Sequence, residues 1–429
     1  MMMPLRINLF LLPGLLLLLT LPAQGAMDQL RESLYADYGL DLTGFVETRA
    51  GLRTQNDDYA DDLTLAEARL QLHLSKDLGW GIFKAKGDLL ADGVVDRVTG
   101  RLRELNLLFF PARNIDIKVG RQVLTWGTGD LLFINDFFAK DWQSFFIGRD
   151  DEYLKAPSNA LKSSIFFDLI NIDLVYIPVF EGSAHISGER LSYWNGVLGR
   201  TAGNDYIFDL EERNSAGRDS EYAVRLSRRI SSMEVAIYGY NGFWQTPEGM
   251  VVPAMQLRYP RLQIYGASLR KPLWGGIGNI ETGYYHSSQA DHGRDPLTRN
   301  SEYRLLLGFE REIGHNFTAA GQAYLEWMMD YEEYKETLSP GTPAKDEYRQ
   351  VITLRLTKLM MNQNLILSLF TYYSPTDKDG YIRPKVQYKL TDQWLLEGGG
   401  NIFFGADNHT FFGQFEDNTN VYGGVRWSF

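Results

Sequence analysis

Residues 66–75, AEARLQLHLS, place Ala66, Ala68, Leu70, Leu72 and Leu74 on one side of an extended chain and Glu67, Arg69, Gln71, His73 and Ser75 on the other, because successive side chains of a strand point to opposite faces. One face is apolar and the other charged, so the ribbon meets two different surroundings. The pattern recurs along the chain. FKAKGDL (83–89) sets Lys84, Lys86 and Asp88 against Phe83, Ala85, Gly87 and Leu89, and EYRLLLGFE (302–310) sets Glu302, Arg304, Gly308 and Glu310 against Tyr303, Leu305, Leu307 and Phe309. YIRPKVQYKL (381–390) gathers Arg383, Lys385, Gln387 and Lys389 on one side; the final VYGGVRWSF (421–429) opposes Val421, Val425, Trp427 and Phe429 to Tyr422, Arg426 and Ser428. Alternating segments of about ten residues, separated by turns, are the signature of a transmembrane barrel with its apolar face to lipid and its polar face to a lumen. A soluble sandwich also alternates, but it needs a second sheet over every apolar face.

Eighteen strands fit the pattern (16–20 as bounds), near 42–54, 63–76, 79–92, 100–112, 115–127, 159–169, 171–181, 219–230, 232–243, 258–272, 276–288, 301–312, 316–329, 346–359, 363–375, 379–390, 393–404 and 419–429. With this count the tight connections all fall on one side, the periplasmic one, and the long segments 128–158, 182–218, 289–300, 330–345 and 405–418 on the other. The fold class expected is therefore all-β, an antiparallel up-and-down transmembrane barrel. Its last strand must pair with its first, since an open edge cannot sit in hydrocarbon. Trp427 and Phe429 are expected in an interfacial aromatic belt.

The amino terminus, MMMPLRINLFLLPGLLLLLTLPAQGA, has one cation (Arg6), an apolar run from Leu9 to Leu21 and small residues at Ala23 and Gly25. This pattern is expected to be a signal peptide cleaved after Gly25, or after Ala26. The domains expected are then 1–25 signal peptide, 26–41 periplasmic segment and 42–429 barrel. Met27 to Leu40 carries Leu30, Leu34 and Tyr35 at helical spacing and reads equally as a short helix or a disordered leader. No later segment is apolar for the roughly 18 residues that a membrane helix needs. The 429 residues include 41 Gly, 24 Tyr, 24 Phe, 9 Trp and no Cys, with formal charge −11. The absence of cysteine removes any disulfide framework, and the acidity argues against nucleic acid as a partner.

Eighteen strands enclose more space than wall side chains can fill, so a water path or a plug is required. The expected constriction is the loop 128–158, in which Phe137, Phe138, Trp142, Phe145 and Phe146 mix with Lys140, Asp141, Arg149, Asp150 and Asp151. Alternation assigns Arg69, Lys84, Lys86, Glu67, Asp88, Arg225, Arg304, Arg349, Arg355, Arg383 and Lys385 to the path, with Glu104, Glu221, Glu234, Glu281, Glu302, Glu326 and Glu397 among the acids of the same wall. Neither sign dominates, so these charges pair across strands, or else Arg349, Arg355, Arg383 and Lys385 form a basic ladder for anions. Strict alternation sends Arg121 to lipid after Ile115, Ile117 and Val119. A bulge at Gly120 is therefore expected to turn Arg121 toward the lumen or the infolded loop. No catalytic motif, metal-ligand spacing or cofactor fingerprint appears, so no enzyme, metal or cofactor is expected. The acidic stretches QNDDYADDL (55–63) and DYEEYKE (330–336) read as solvated loops that could contact lipopolysaccharide or divalent cations.

GFVETRAG (44–51), AEARLQLHL (66–74), KVGRQVLTWGTGD (118–130) and GGVRWSF (423–429) together resemble the large-barrel families grouped around alginate-export proteins and related uncharacterised proteobacterial outer-membrane proteins. That resemblance implies an eighteen-stranded outer-membrane channel; the exporters carry an acidic polysaccharide through a strongly basic lumen, whereas the lumen inferred here is mixed. The function expected is passive passage of hydrophilic, anionic or polysaccharide-like solutes. The alternative is a barrel sheath that houses a partner of an export or electron-transfer complex. The partners expected are outer-membrane lipid and lipopolysaccharide, the barrel-assembly machinery through Phe429, and a periplasmic or inner-membrane export partner.

Overall fold

The computed structural model describes residues 12–252 and 254–429; the first eleven residues of the expected signal peptide lie outside the described residues. Helix α1 (Leu12–Tyr38) leads through Gly39, with φ +63°, into the first strand. Among the described residues no helix is long and apolar enough to cross a membrane, which says nothing of strands.

Twenty-two strands follow among the described residues: β1 (Asp41–Arg53), β2 (Leu63–Asp77), β3 (Gly81–Asp92), β4 (Arg97–Ala112), β5 (Ile115–Val123), β6 (Pro157–Phe166), β7 (Asn171–Ile177), β8 (Tyr193–Asn195), β9 (Arg200–Ala202), β10 (Glu221–Ile230) and β11 (Met233–Phe243). The rest are β12 (Gly249–Val251), β13 (Gln256–Arg258), β14 (Arg261–Leu273), β15 (Gly276–Ser287), β16 (Glu302–Gly314), β17 (Phe317–Met328), β18 (Tyr348–Met360), β19 (Leu365–Ser374), β20 (Asp379–Lys389), β21 (Trp394–Phe404) and β22 (Asn420–Ser428). Two short hairpins, β8 with β9 and β12 with β13, decorate loops; the other eighteen strands form one antiparallel sheet. That sheet closes where β1 pairs with β22 from Phe45 opposite Ser428 to Arg53 opposite Asn420. Closure leaves no edge with unpaired backbone groups.

The connections at one end are two to four residues long. In the turn between β14 and β15, Trp274 and Gly275 both have positive φ (49° and 73°), the backbone that matches the right-handed twist of a hairpin. At the other end lie the long loops, together with two four-residue connections at 93–96 and 375–378. The outward face carries exposed Leu105, Val119, Leu161, Ile237, Leu305 and Ile352, and an aromatic row in which the rings of Tyr284, Tyr303, Trp327 and Tyr348 follow one another at 4.8, 6.2 and 5.6 Å across four strands.

Three details depart from expectation. β5 ends at Val123 and β7 at Ile177, each four residues early, so the loop after β5 spans 124–156. Trp427 and Phe429 are on the outward face but only 3 % and 9 % exposed, their rings 5.3 Å apart. The cause lies in the closing seam. Phe429 exchanges two backbone hydrogen bonds with Gly44, which lays its ring where a Gly44 side chain would stand.

Candidate solute path and constriction loop

Residues 124–156 turn into the barrel and cross its interior. On the outbound leg the Glu281 carboxylate of β15 accepts from the amides of Gly129 (2.8 Å) and Asn135 (3.1 Å), from the Asn135 side-chain amide (3.1 Å) and from the Thr128 amide. Gln322 of β17 grips Asp130 twice, accepting from its N–H (2.8 Å) and donating to its carbonyl (2.7 Å), and the Tyr372 hydroxyl of β19 donates to Leu131 O (2.8 Å). These bonds satisfy loop backbone that would otherwise lie buried and unpaired.

The return leg runs through helix α2 (Trp142–Ile147), capped by Asp141, whose carboxylate accepts from Ser144 N (2.8 Å), and stopped by Gly148 at φ +86°. Gly148 also allows close approach, because a side chain there would meet the Tyr422 ring at 2.3 Å. Phe145 and Phe146 pack edge-on to Tyr381 of β20 (5.7 and 5.6 Å), and Phe146 also packs against Phe403 of β21 (5.4 Å). Phe137 packs on Tyr240 of β11 (4.8 Å), with Phe138 and Trp126 beside it. The loop aromatics thus find apolar cover from aromatics of the lumen wall itself. A second loop, 178–220, closes over this layer with Arg190, Leu191 and Ser192 buried.

Nearly every path residue assigned by alternation carries an ion pair. Arg149, fully buried on the loop, donates through Nε to both Glu67 oxygens (3.0 Å each), lies 3.5 Å from Asp92 and bonds Ser144 Oγ (2.9 Å). Arg69 pairs with Asp88 (2.8 Å) and Glu67 (3.5 Å), while Arg190 reaches the same group through Asp92 and lies 3.9 Å from Glu67. Three guanidinium groups and three carboxylates form a closed, neutral cluster. Around it, Arg49 binds Glu397 (2.6 Å) and Glu47 (2.9 Å), Arg426 binds Glu47 (2.7 Å) and Asp150 (3.0 Å), and Lys86 binds Glu152 (3.1 Å). Burial would raise the Asp150 carboxyl, but Arg426, Lys385 and the Glu152 amide outweigh it and hold the group down at about 2. Tyr153 lies under Arg69 and Arg103, with both guanidinium carbons within 4.5 Å of its ring centre.

The residues expected to make a basic ladder are neutralised as well: Arg349 by Asp377, Arg355 by Asp130 and Arg383 by Asp151, each at 2.6 Å, and Lys385 by Glu397 at 3.1 Å. Arg225 pairs with Glu234 (2.8 Å), and Arg304 with Glu302 in a separate group around Arg299. Lys84 is exposed and makes no ion pair among the described residues. Lys140 is buried on the loop against Asp136 (3.0 Å), and burial pushes its ammonium below the usual lysine range.

Arg121 requires a correction. It does not reach the lumen. Gly120 has φ +114° and a side chain there would strike Leu105 O at 2.2 Å, but the pairing of β5 with β6 runs through it without a shift. Arg121 stays on the outward face opposite Leu105 and Asn159, held at 2.9 Å by both oxygens of Glu181 and donating to Leu102 O (2.7 Å). The pair lies at the external end of β5, where the guanidinium finds its counter-ion. The register shift falls in the neighbouring β4, beside Lys86 and Gly87 of β3. Glu47 and Arg49 were absent from the assigned path although alternation within 44–51 points to them. Arg190 had no periodic signal at all.

No family model matches the chain, and no curated protein matches it in sequence. Solved structures do match. Pseudomonas aeruginosa OccD3 superposes with TM-score 0.53 at 10 % identity, covering 91 % of each chain. Acinetobacter baumannii OccAB3 gives 0.53 at 10 %, covering 91 % of this chain and 99 % of that one; OccAB1 from the same organism gives 0.54 at 8 %, covering 91 % and 96 %. The fold is a porin-like closed barrel. At such identity the likeness is one of fold, and the alginate-export resemblance gains no support from it.

Proposed function

We propose that the chain is an outer-membrane channel through which small hydrophilic solutes, anions above all, diffuse past a constriction formed by residues 124–156. The observation that carries this reading is the lumen itself. Its wall is charged and ion-paired to a loop folded in from the external side, while the outer wall is apolar. A charged interior behind an apolar belt suits water on one side and lipid on the other. Phe429 at the closing seam would be read by the barrel-assembly machinery, and the exposed acidic loops would face lipopolysaccharide.

The test is single-channel conductance of the purified chain in a planar bilayer, with reversal potential under a salt gradient. Small, anion-selective steps are expected. A barrel that stays silent and opens only after residues 127–153 are deleted would refute passive diffusion and favour a sheath around a partner.

A further inference from the structure

Six residues on from the exposed, outward-facing Tyr222, Tyr265, Leu305 and Ile352 stand Arg228 of β10, Lys271 of β14, Arg311 of β16 and Lys358 of β18. Six residues are three strand periods, so these four cations share the lipid-facing side of the wall. Each lies two or three residues before its strand ends at a short turn. Leu226 and Ile230 flank Arg228 on that face, and Leu269 and Leu273 flank Lys271. Phe309 and Ile313 do the same for Arg311, as Leu356 and Met360 do for Lys358. Ile230, Leu273, Ile313 and Met360 are all exposed. The cations are therefore set inside the last apolar ring of the outer wall, not beyond it.

None of the four has a counter-ion. Arg228, Lys271 and Arg311 make neither an ion pair nor a side-chain hydrogen bond among the described residues. Lys358 has only the His315 carbonyl (2.8 Å) and the Phe317 ring (5.8 Å). The acids of these strand ends, Glu234, Glu310 and Glu312, alternate to the lumen side, and Glu234 is engaged by Arg225. Arg121 is the contrast, an outward cation that Glu181 meets. A lipid-facing charge costs more the deeper it lies, so these four call for an anion from outside the chain. The ladders set them level. Arg228 faces Val235, which faces Leu269, and Lys271 lies two residues beyond. Lys271 faces Gly278, which faces Phe309, and Arg311 lies two beyond; Arg311 faces Ala319, which faces Leu356, and Lys358 lies two beyond. With strands about 4.8 Å apart and a rise of about 3.4 Å per residue, that step corresponds to a strand tilt of about 35°, which such barrels have. The row thus runs parallel to the membrane plane with neighbours about 12 Å apart. Between them the wall is shallow at Gly278 and Ala319, and a side chain added at Gly278 would meet nothing closer than 3.4 Å.

We infer that this row is a docking surface for anionic phospholipid of the leaflet at the periplasmic end, each headgroup phosphate seated between two neighbouring cations. Three features fix the occupant. The unpaired charges call for an anion, and the apolar residues on both sides of every cation call for one attached to hydrocarbon. The place at the short-turn end calls for the phospholipid leaflet, not the lipopolysaccharide that faces the long loops. Trp274, 79 % exposed in the turn after Lys271 and 6.3 Å from Phe309, adds an amphipathic ring at the same boundary. On the rest of the outward wall at this end Lys76 is the lone strand cation among the described residues, so the headgroups are ordered along one sector of the barrel. The inference goes beyond the solute path and stands whether or not the lumen conducts.

The test is native mass spectrometry of the full chain in detergent, equilibrated with phosphatidylglycerol or with phosphatidylethanolamine of the same acyl chains, which counts the lipids that stay bound. Phosphatidylglycerol is expected to be retained in discrete copies with at least about tenfold higher affinity, since each basic residue near an anionic headgroup contributes roughly fivefold. Lys271→Gln combined with Arg311→Gln should weaken phosphatidylglycerol by about ten- to thirtyfold and leave phosphatidylethanolamine unchanged. Lys271→Arg combined with Arg311→Lys keeps both charges and should bind like the parent. Lys76→Gln, on the same face but in another sector, should have no effect. Heat-modifiable migration checks that each variant is folded. Equal retention of the two lipids, phosphatidylglycerol binding indifferent to the double Gln variant, or an equal loss in Lys76→Gln would each overturn the proposal. Lipid A bound more tightly than phosphatidylglycerol, and lost in the same double variant, would assign the row to lipopolysaccharide and overturn it as well.

Discussion

Replacing Glu67 by Gln removes one charge from the neutral cluster that holds the loop. Glu67 contacts Arg149 at 3.0 Å, Arg69 at 3.5 Å and Arg190 at 3.9 Å, all with side chains no more than 2 % exposed. Asp88 and Asp92 continue to balance two of the three guanidinium groups, so one positive charge is left without a counter-ion. At an effective dielectric of about 20, a unit pair about 4 Å apart is worth about 4 kcal/mol. Breaking buried pairs on one side typically costs about 3–5 kcal/mol. A closed eighteen-stranded sheet has no need to unfold to relieve this, since Arg149 belongs to the loop and can leave. The loop should therefore loosen while the barrel stays intact. The assay is hydrogen exchange of the amides of 141–154 in detergent, read beside those of β1 and β2. Protection of the loop should fall by about two to three orders of magnitude, with the strands unchanged. The double variant Glu67→Gln, Arg149→Met restores neutrality and should recover part of that loss. Unchanged protection in Glu67→Gln, or a double variant as perturbed as the two single changes added together, would refute the claim that this cluster locks the loop.

Three further outcomes are expected. Because Asp150 is held at about 2, below the usual aspartate value, its contribution to docking is fully present above about pH 4 and is lost as pH falls through 2; protease resistance of the loop should be flat from pH 7 to 4 and decline only below that. Gly148→Ala places a side chain 2.3 Å from the Tyr422 ring at φ +86°. The left-handed backbone alone costs about 1–2 kcal/mol, so noisier and larger conductance steps are expected from an unaltered barrel. Gly44→Val would meet Gln71 O at 2.4 Å and the Phe429 ring at 2.7 Å, so the seam should fail to close, seen as loss of the heat-modifiable folded band on a gel.

The strands were legible because their signal is local. Period-two alternation is repeated eighteen times, and the rule that short turns share one side checks the count; the strand boundaries expected for β3 and β17, for example, lie within two residues of those observed. Arg121 shows the limit of that logic. Its counter-ion, Glu181, lies sixty positions away in the loop that follows β7, and no local pattern announces it, so the alternation alone calls for a bulge where an ion pair suffices. The cover over Trp427 was hidden for a similar reason, since it depends on where the chain's last residue meets Gly44.

The lumen charge illustrates a deeper version of the same limit. Counting wall residues by alternation gives a mixture of signs, and a mixture invites the thought that strands neutralise one another. Some do, as Arg225 and Glu234 show. Yet Lys86, Arg355, Arg383 and Arg426 look from four different strands toward carboxylates that are all on one loop: Glu152, Asp130, Asp151 and Asp150. The balance is therefore struck between wall and loop as well as between strands, with loop carboxylates facing these four wall cations and loop Arg149 facing Glu67 of the wall. Remove or displace the loop and the field of the lumen changes sign locally together with its width, so that selectivity and gating are two readings of one set of contacts.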